Sequence, residues 1–273
     1  MMNVNIEKCV GCGQCVKDCF ANTIALVNGK AKINNDNCIK CGHCIAICPK
    51  EAVSINDYNM EEVRQYNIDE FSVAGDNLLN FIKFRRSVRH FVDKPIEDEK
   101  IYKIIEAGRY TETGANAQDV SFIVVREGIQ ELKRLAINSL KDKGENILNN
   151  STPDYMHYKM FAEMWIKMYN DFNVNPIEND NLFHNAPALI VITADSEIDG
   201  ALASSNMELM TNALELGSFF CGFFVIAAED NKKIMNLLEV KEGKKIVTCL
   251  AVGYPSVKYF RTVPRKEADI KWR

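Results

Sequence analysis

Eight of the ten cysteines fall between residues 9 and 48, and they repeat one pattern. C-x₂-C-x₂-C-x₃-C occurs at Cys9, Cys12, Cys15 and Cys19, and again at Cys38, Cys41, Cys44 and Cys48. Each cysteine recurs 29 residues later, and Gly13 recurs as Gly42. Cluster iron takes soft thiolate ligands, which only cysteine supplies. Two intervening residues let a tight loop turn three thiolates toward one centre, and glycine permits the close wrap. The spacing is the bacterial signature for a pair of [4Fe–4S] clusters, where the fourth thiolate comes from the other repeat. Cys9, Cys12, Cys15 and Cys48 are expected to hold one cluster, and Cys38, Cys41, Cys44 and Cys19 the other. A disulfide scaffold fits poorly, since no signal peptide is read at the amino terminus. Zinc sites use paired C-x₂-C but have no use for the triplets. His43 has Gln14 as its repeat counterpart, which cannot replace a ligand, so His43 is read as a solvent-facing loop residue.

A second chemistry-bearing stretch is Phe84–Phe91, which holds Arg85, Arg86, Ser87 and Arg89. Guanidinium groups match phosphate geometry and a serine hydroxyl adds a donor. On the local sequence alone a solvated basic patch is the competing reading. Thr111–Gln118 is a loop of small polar residues that could hold a polar ring edge or be an ordinary turn. Gly222 lies in an aromatic stretch where a backbone could approach a ligand closely, and the tail from Val257 carries Arg261, Arg265 and Lys266. No Rossmann, P-loop, H-E-x-x-H or G-x-S-x-G motif occurs, so a Rossmann dinucleotide site is not supported.

These groups need a frame, and 273 residues are comfortable for two domains. Hydrophobic residues make up 47% and charged residues 26%, the mark of a globular chain. A net charge of −4 argues against nucleic acid as a partner. The longest apolar run, Phe219–Ala228, is too short to span a bilayer, so no membrane partner and a cytoplasmic location are expected. Strands are expected over Met1–Ile6 and Ala52–Ile55, with a hairpin over Thr23–Ile33 turning at Asn28-Gly29. Residues 1–57 form the cluster domain, 58–79 a linker, and 80–273 the second domain. In the second domain helices are expected over Asn77–Phe84, Pro95–Arg109, Gln130–Leu140, Tyr155–Tyr169, Gly200–Leu216 and Asp230–Leu238. Strands are expected over Ser121–Val125, Pro187–Thr193 and Ile246–Gly253. Lys141–Ser151 and Phe219–Phe224 read as loops, and Gly217 as a helix stop. Helices and strands mix without a βαβ rhythm, which points to α+β. Cys221 and Cys249 lie outside any ligand spacing and read as small buried hydrophobes.

Residues 5–57 resemble a two-cluster bacterial ferredoxin module; Cys48 is followed by Pro49 as in that family, whereas Cys19 is followed by Phe20. Residues 80–268 resemble the nitroreductase family of FMN enzymes. The likeness rests on Arg85-Arg86-Ser87-Val88-Arg89, Thr113-Gly114-Ala115-Asn116-Ala117-Gln118, Gly253-Tyr254-Pro255 and Val263-Pro264-Arg265-Lys266. It implies a mainly antiparallel central sheet flanked by helices. It also implies an FMN site in which Arg85, Arg86, Ser87 and Arg89 meet the late pair Arg265 and Lys266 around the phosphate. Thr113, Gly114 and Asn116 match a loop that reaches flavin held mainly by a partner subunit, so a homodimer is implied. Gly222 matches the backbone beside the reactive ring edge. Glu112 and Asp119-Val120 depart from the family pattern on the substrate side. The expectation is an FMN-dependent oxidoreductase that receives electrons through two [4Fe–4S] clusters, from ferredoxin or another one-electron donor, and reduces a small-molecule acceptor. No catalytic acid or base is named by the sequence. The alternatives are an NAD(P)H-dependent flavoenzyme that exports electrons to ferredoxin, and a redox sensor or carrier without its own substrate.

Overall fold

The computed structural model describes residues 1–150 and 158–273. The chain divides into two compact units, Met1–Ala74 with Thr113–Ala117, and Gly75–Glu112 with Gln118–Arg273.

In the first unit, β1 (Met2–Val4) pairs antiparallel with β4 (Val53–Ile55), and β2 (Ile24–Val27) with β3 (Lys30–Ile33). The β2–β3 turn takes the expected form: Asn28 and Gly29 both have positive φ, 50° and 72°, which matches the twist of a two-residue hairpin. Each cysteine repeat contributes one short helix, α1 (Gln14–Asp18) and α2 (His43–Ala46). Both helices start from a left-handed glycine, Gly13 at φ 74° and Gly42 at φ 77°, a conformation that side chains disfavour. The core is small. Besides Cys9, Cys15 and Cys44 it buries Met2, Ile24, Ala31, Ala52, Val53 and Ile55. The span expected as a linker carries a short helix, α3 (Ile68–Phe71), and the start of α4 (Gly75–Phe84). Most of its apolar residues are exposed, and α4 begins two residues before the helix expected from Asn77.

The second unit is built on a four-stranded antiparallel sheet. Its strands are β5 (Ser121–Val125), β6 (Ala188–Ala194), β7 (Gly217–Phe220) and β8 (Lys245–Gly253), in the spatial order β5-β6-β8-β7. Every residue of β6 is buried, because helices cover both faces of the sheet. Alternation along the strands divides the core. Leu189, Val191, Cys249 and Ala251 face α6 (Ile129–Asn149) and α7 (Lys159–Val174). Ile190, Ile192, Leu250 and Val252 face α5 (Asp98–Arg109) and α8 (Glu197–Ala213). Two short helices, α9 (Gly222–Ala228) and α10 (Lys232–Leu237), complete the first of these layers. A buried ion pair anchors that layer: Lys133 Nζ lies 2.9 Å from Asp180 Oδ2, with both side chains 1% exposed or less. Asp180 also accepts the backbone N–H groups of Leu182, Phe183 and Asn185.

Three sequence expectations are corrected here. The span Lys141–Ser151 is not a loop as far as Asn149; α6 runs on through it. Its polar residues are a solvated helix face, braced by the Lys141–Glu145 pair at i,i+4, while Gly144 lets the helix approach the backbone of Ala162 on α7. Ser151 and the first residues of the helix expected over Tyr155–Tyr169 lie outside the described residues. The helix ahead of Gly217 stops at Ala213, turns at Glu215 with φ 61°, and Gly217 opens β7. The stretch Phe219–Phe224 is accordingly the end of a strand and the start of α9, not a loop. Among the described residues no helix is long and apolar enough to cross a membrane.

Candidate functional site

The cysteines group as the repeat spacing requires. One void of the first unit is lined by Cys9, Cys12, Cys15 and Cys48, the other by Cys38, Cys41, Cys44 and Cys19. Each takes three cysteines from one repeat and the last from the other. Among the described residues no three His, Cys, Asp or Glu side chains close on a single metal ion. The thiols are spread around a void instead, a donor set and spacing that fit an iron–sulfur cube better than a lone zinc.

Backbone N–H groups point at the sulfurs: Ala31 N at Cys9, Lys40 N at Cys38 and Ala52 N at Cys48, at 3.3–3.4 Å. Those on Ala31 and Gly11 pull the Cys9 thiol below its ordinary value. Burial pushes Cys44 up to about 11. Cys19 is pushed up by burial, but the hydroxyl and backbone N–H of Thr23, with the backbone N–H groups of Ala21 and Asn22, together outweigh this, and its thiol ends lower than usual. His43 lies outside the cysteine set; its Nδ1 is 3.2 Å from Asp18 Oδ2 and its side chain is exposed. Lys40 holds Asp57 down to about 2, a pair at 2.7 Å beside the second cysteine loop.

In the second unit the stretch that follows α4 lies along β7. Ser87 bridges Ser218 in parallel register, and Val88 N donates to Ser218 O at 2.9 Å. The three arginines take different tasks. Arg85 Nη1 lies 2.7 Å from both carboxylate oxygens of Glu208, a buried residue of α8. Arg86 donates to the carbonyls of Arg85 and Lys83 and so caps the end of α4. The Arg89 guanidinium sits 5.2 Å from the centre of the Phe219 ring. Its charge is not cancelled by a carboxylate among the described residues.

Two buried polar atoms here have no partner among the described residues, Arg85 Nε and Ser218 Oγ. Buried groups of this kind are few in folded chains, and a bound molecule or water can complete their bonding. At Gly222 a Cβ would meet nothing within 4 Å, so the backbone borders open space. Cation, hydroxyls, orphaned N–H and open backbone fit a phosphorylated ring compound such as FMN. Glu208, Ser218 and Phe219 were not foreseen from sequence. An acidic residue within a helix and a serine within an aromatic strand carry no motif.

Thr113, Gly114 and Asn116 are grouped elsewhere, since Thr113–Ala117 clusters with the first unit. There Asn116 Nδ2 donates to the carbonyl of Ile39, at 2.9 Å. The loop is bent: Ala115, Asn116 and Gln118 all have φ near +50°, a region that costs a non-glycine residue about 1 kcal/mol or more. Arg265 and Lys266 lie on an exposed tail without regular structure, and no hydrogen bond joins them to Arg85–Arg89 among the described residues.

Comparison with known proteins agrees with this geometry. Residues 82–254 match the nitroreductase family, and residues 1–49 match the 4Fe-4S dicluster domain. A provisionally named NADH dehydrogenase/NAD(P)H nitroreductase of Archaeoglobus fulgidus is 26% identical over 190 residues, 66% of this chain and 86% of its own. An iodotyrosine deiodinase of Hydra vulgaris is 24% identical over 229 residues, 76% of this chain and 77% of its own. A nitroreductase with bound FMN from Bacteroides fragilis shares the fold at a TM-score of 0.57 and 22% identity, covering 71% of this chain and 97% of its own.

Proposed function

The chain belongs to the nitroreductase family, and from that premise we propose that it is an FMN-dependent oxidoreductase fed by two [4Fe–4S] clusters, which reduces an organic acceptor. Nitroaromatics, quinones and other unsaturated electrophiles are the acceptor classes. The observation that carries this reading is the grouping of eight cysteines into two crossed sets of four, on one chain with a nitroreductase fold. Bound FMN would exchange electrons singly or in pairs, and so connect one-electron clusters with a two-electron acceptor.

The residues have distinct tasks in this reading. Cys9, Cys12, Cys15 and Cys48 hold one cluster, and Cys38, Cys41, Cys44 and Cys19 the other. Arg89 supplies an uncancelled positive charge, and Ser87 and Ser218 supply hydroxyl donors. Glu208 fixes the Arg85 guanidinium through Nη1 and leaves its buried Nε for a ligand. The open backbone at Gly222 lets a flat ring lie close. Arg86 acts through α4 by capping it. Arg265, Lys266 and the loop of Thr113, Gly114 and Asn116 complete the site in a homodimer.

An electron donor of the nicotinamide type is the second reading, favoured by the name of the Archaeoglobus fulgidus relative. Protein purified without air should contain iron, sulfide and flavin together. After reduction with dithionite it should be reoxidised by a nitroaromatic with repeated turnover. Iron without flavin, or flavin without iron, would sink the proposal. Rapid bleaching of the flavin by NADH or NADPH would assign the donor to nicotinamide.

A further inference from the structure

The two cysteine repeats are each other's control. The cysteines differ by 29 residues position by position, and many residues that line one void have a counterpart at the other. Cys19 and Cys48 are such a pair, and each accepts a backbone N–H from the residue four positions later, Thr23 N at 3.4 Å and Ala52 N at 3.3 Å. This N–H contact is the same at the two sulfurs. The side chains do not: Thr23 brings a hydroxyl, and its Oγ1 lies 3.4 Å from Cys19 Sγ, whereas Ala52 has none to offer. Thr23 is 8% exposed, so water competes little for that hydroxyl.

A hydrogen bond to a cluster sulfur favours the reduced state, because the added electron makes the sulfurs more negative and the donor's attraction stronger. We propose that Thr23 is a potential-setting residue: its hydroxyl, donating to Cys19 Sγ, raises the midpoint potential of the cluster lined by Cys38, Cys41, Cys44 and Cys19, and has no equivalent at the other cluster. The electron-transfer path thereby contains two inequivalent stations. Other groups also distinguish the two, such as Lys30, whose Nζ donates to the Cys9 carbonyl at 2.5 Å. The Thr23 hydroxyl shifts one midpoint, whichever cluster is the higher in absolute terms.

The proposal rests on the assignment of the eight cysteines to two clusters, and the test separates the two ideas. The full-length protein, purified without air, is titrated with dithionite while the clusters are followed by electron paramagnetic resonance, with iron counted per chain. Thr23→Val, of nearly the same shape, should keep the iron and shift one of the two midpoints to a more negative value, leaving the other in place. Thr23→Ser should restore that midpoint. If Thr23→Val sheds iron, Thr23→Ala, which removes the hydroxyl without adding a methyl, is titrated instead. Two unmoved midpoints at full iron content would overturn the role of Thr23, as would an equal shift of both. Wild-type protein with no cluster signal would overturn the cluster assignment itself.

Discussion

At the scale of single residues, each void takes three cysteines from one repeat and its fourth from the other. A cluster needs thiolates at short fixed spacings, so the ligand set is written locally, and even the exchange of the fourth cysteine follows from the pattern. That exchange has a direct test in paired substitutions. Cys12→Ala and Cys41→Ala should each remove half of the iron, and so should Cys19→Ala. Cys19→Ala with Cys41→Ala should lose no more than either alone, because both affect the same void. Cys19→Ala with Cys12→Ala should lose nearly all. The reverse result would mean that each repeat holds its own cluster. The arginines were legible only as a type. Arg85 looked like a phosphate ligand, but its partner Glu208 is 123 positions away in the chain, and no local pattern reaches that far.

His184 was likewise invisible, and its environment makes a prediction about pH. Burial, the largest influence, holds its imidazole below the ordinary value; Arg89 and His90 add to this and Asp180 opposes it. Its ring packs edge-on to Phe219, 5.3 Å between centres. A histidine whose folded value lies below its unfolded one must give up a proton to fold. It has no effect well above about pH 6.5, and it destabilises the fold as pH drops below that value. Asn tolerates the positive φ of 53° at this position, so His184→Asn should fold. Denaturant midpoints at pH 7.5 and 5.5 should fall further on acidification in the wild type than in His184→Asn. Equal falls would show that the proton on His184 is irrelevant to stability.

At the scale of elements, periodicity found what is buried on one side and missed what is held by partners. The hairpin turn, α5 and β6 were readable because their apolar spacing is local. β7 was not, since four residues after a helix give no period, and the glycine at its start looked like a stop signal. Its role is packing: a Cβ on Gly217 would lie 2.7–2.8 Å from the side chain of Val88. Val88 sits between Ser87 and Arg89, so β7 and the arginine stretch fit together only with glycine there. Gly217→Ala should therefore cost about 1–3 kcal/mol by overpacking. It should also displace Ser87 and Arg89 and weaken flavin retention on gel filtration. A variant with flavin retained at the wild-type ratio would separate β7 from the binding site.

At the scale of the whole chain, the two units are unequally equipped to fold. The second unit has a sheet covered on both faces and two apolar layers that include Leu, Ile, Phe and Met side chains. The first unit buries six apolar residues besides its cysteines, and two of the six are alanines. So small a core leaves little surplus over the entropy of ordering the chain, and domains of this kind commonly depend on bound metal. Three buried or half-buried thiols around each void, with one exposed, add to the difficulty. When the iron is lost, the voids lose their filling and nothing apolar replaces it. Metal binding is then a large part of the folding free energy of the first unit, while the second relies on its own core. Calorimetry of the anaerobic protein should show the transition of the first unit disappear after iron is removed with a chelator. The transition of the second unit should persist, and far-ultraviolet dichroism should keep its helical signal. If iron removal abolished both transitions, the sheet unit would depend on the clusters for its fold. If it abolished neither, the cysteine loops would have to be stable around empty space, against the arithmetic of their core.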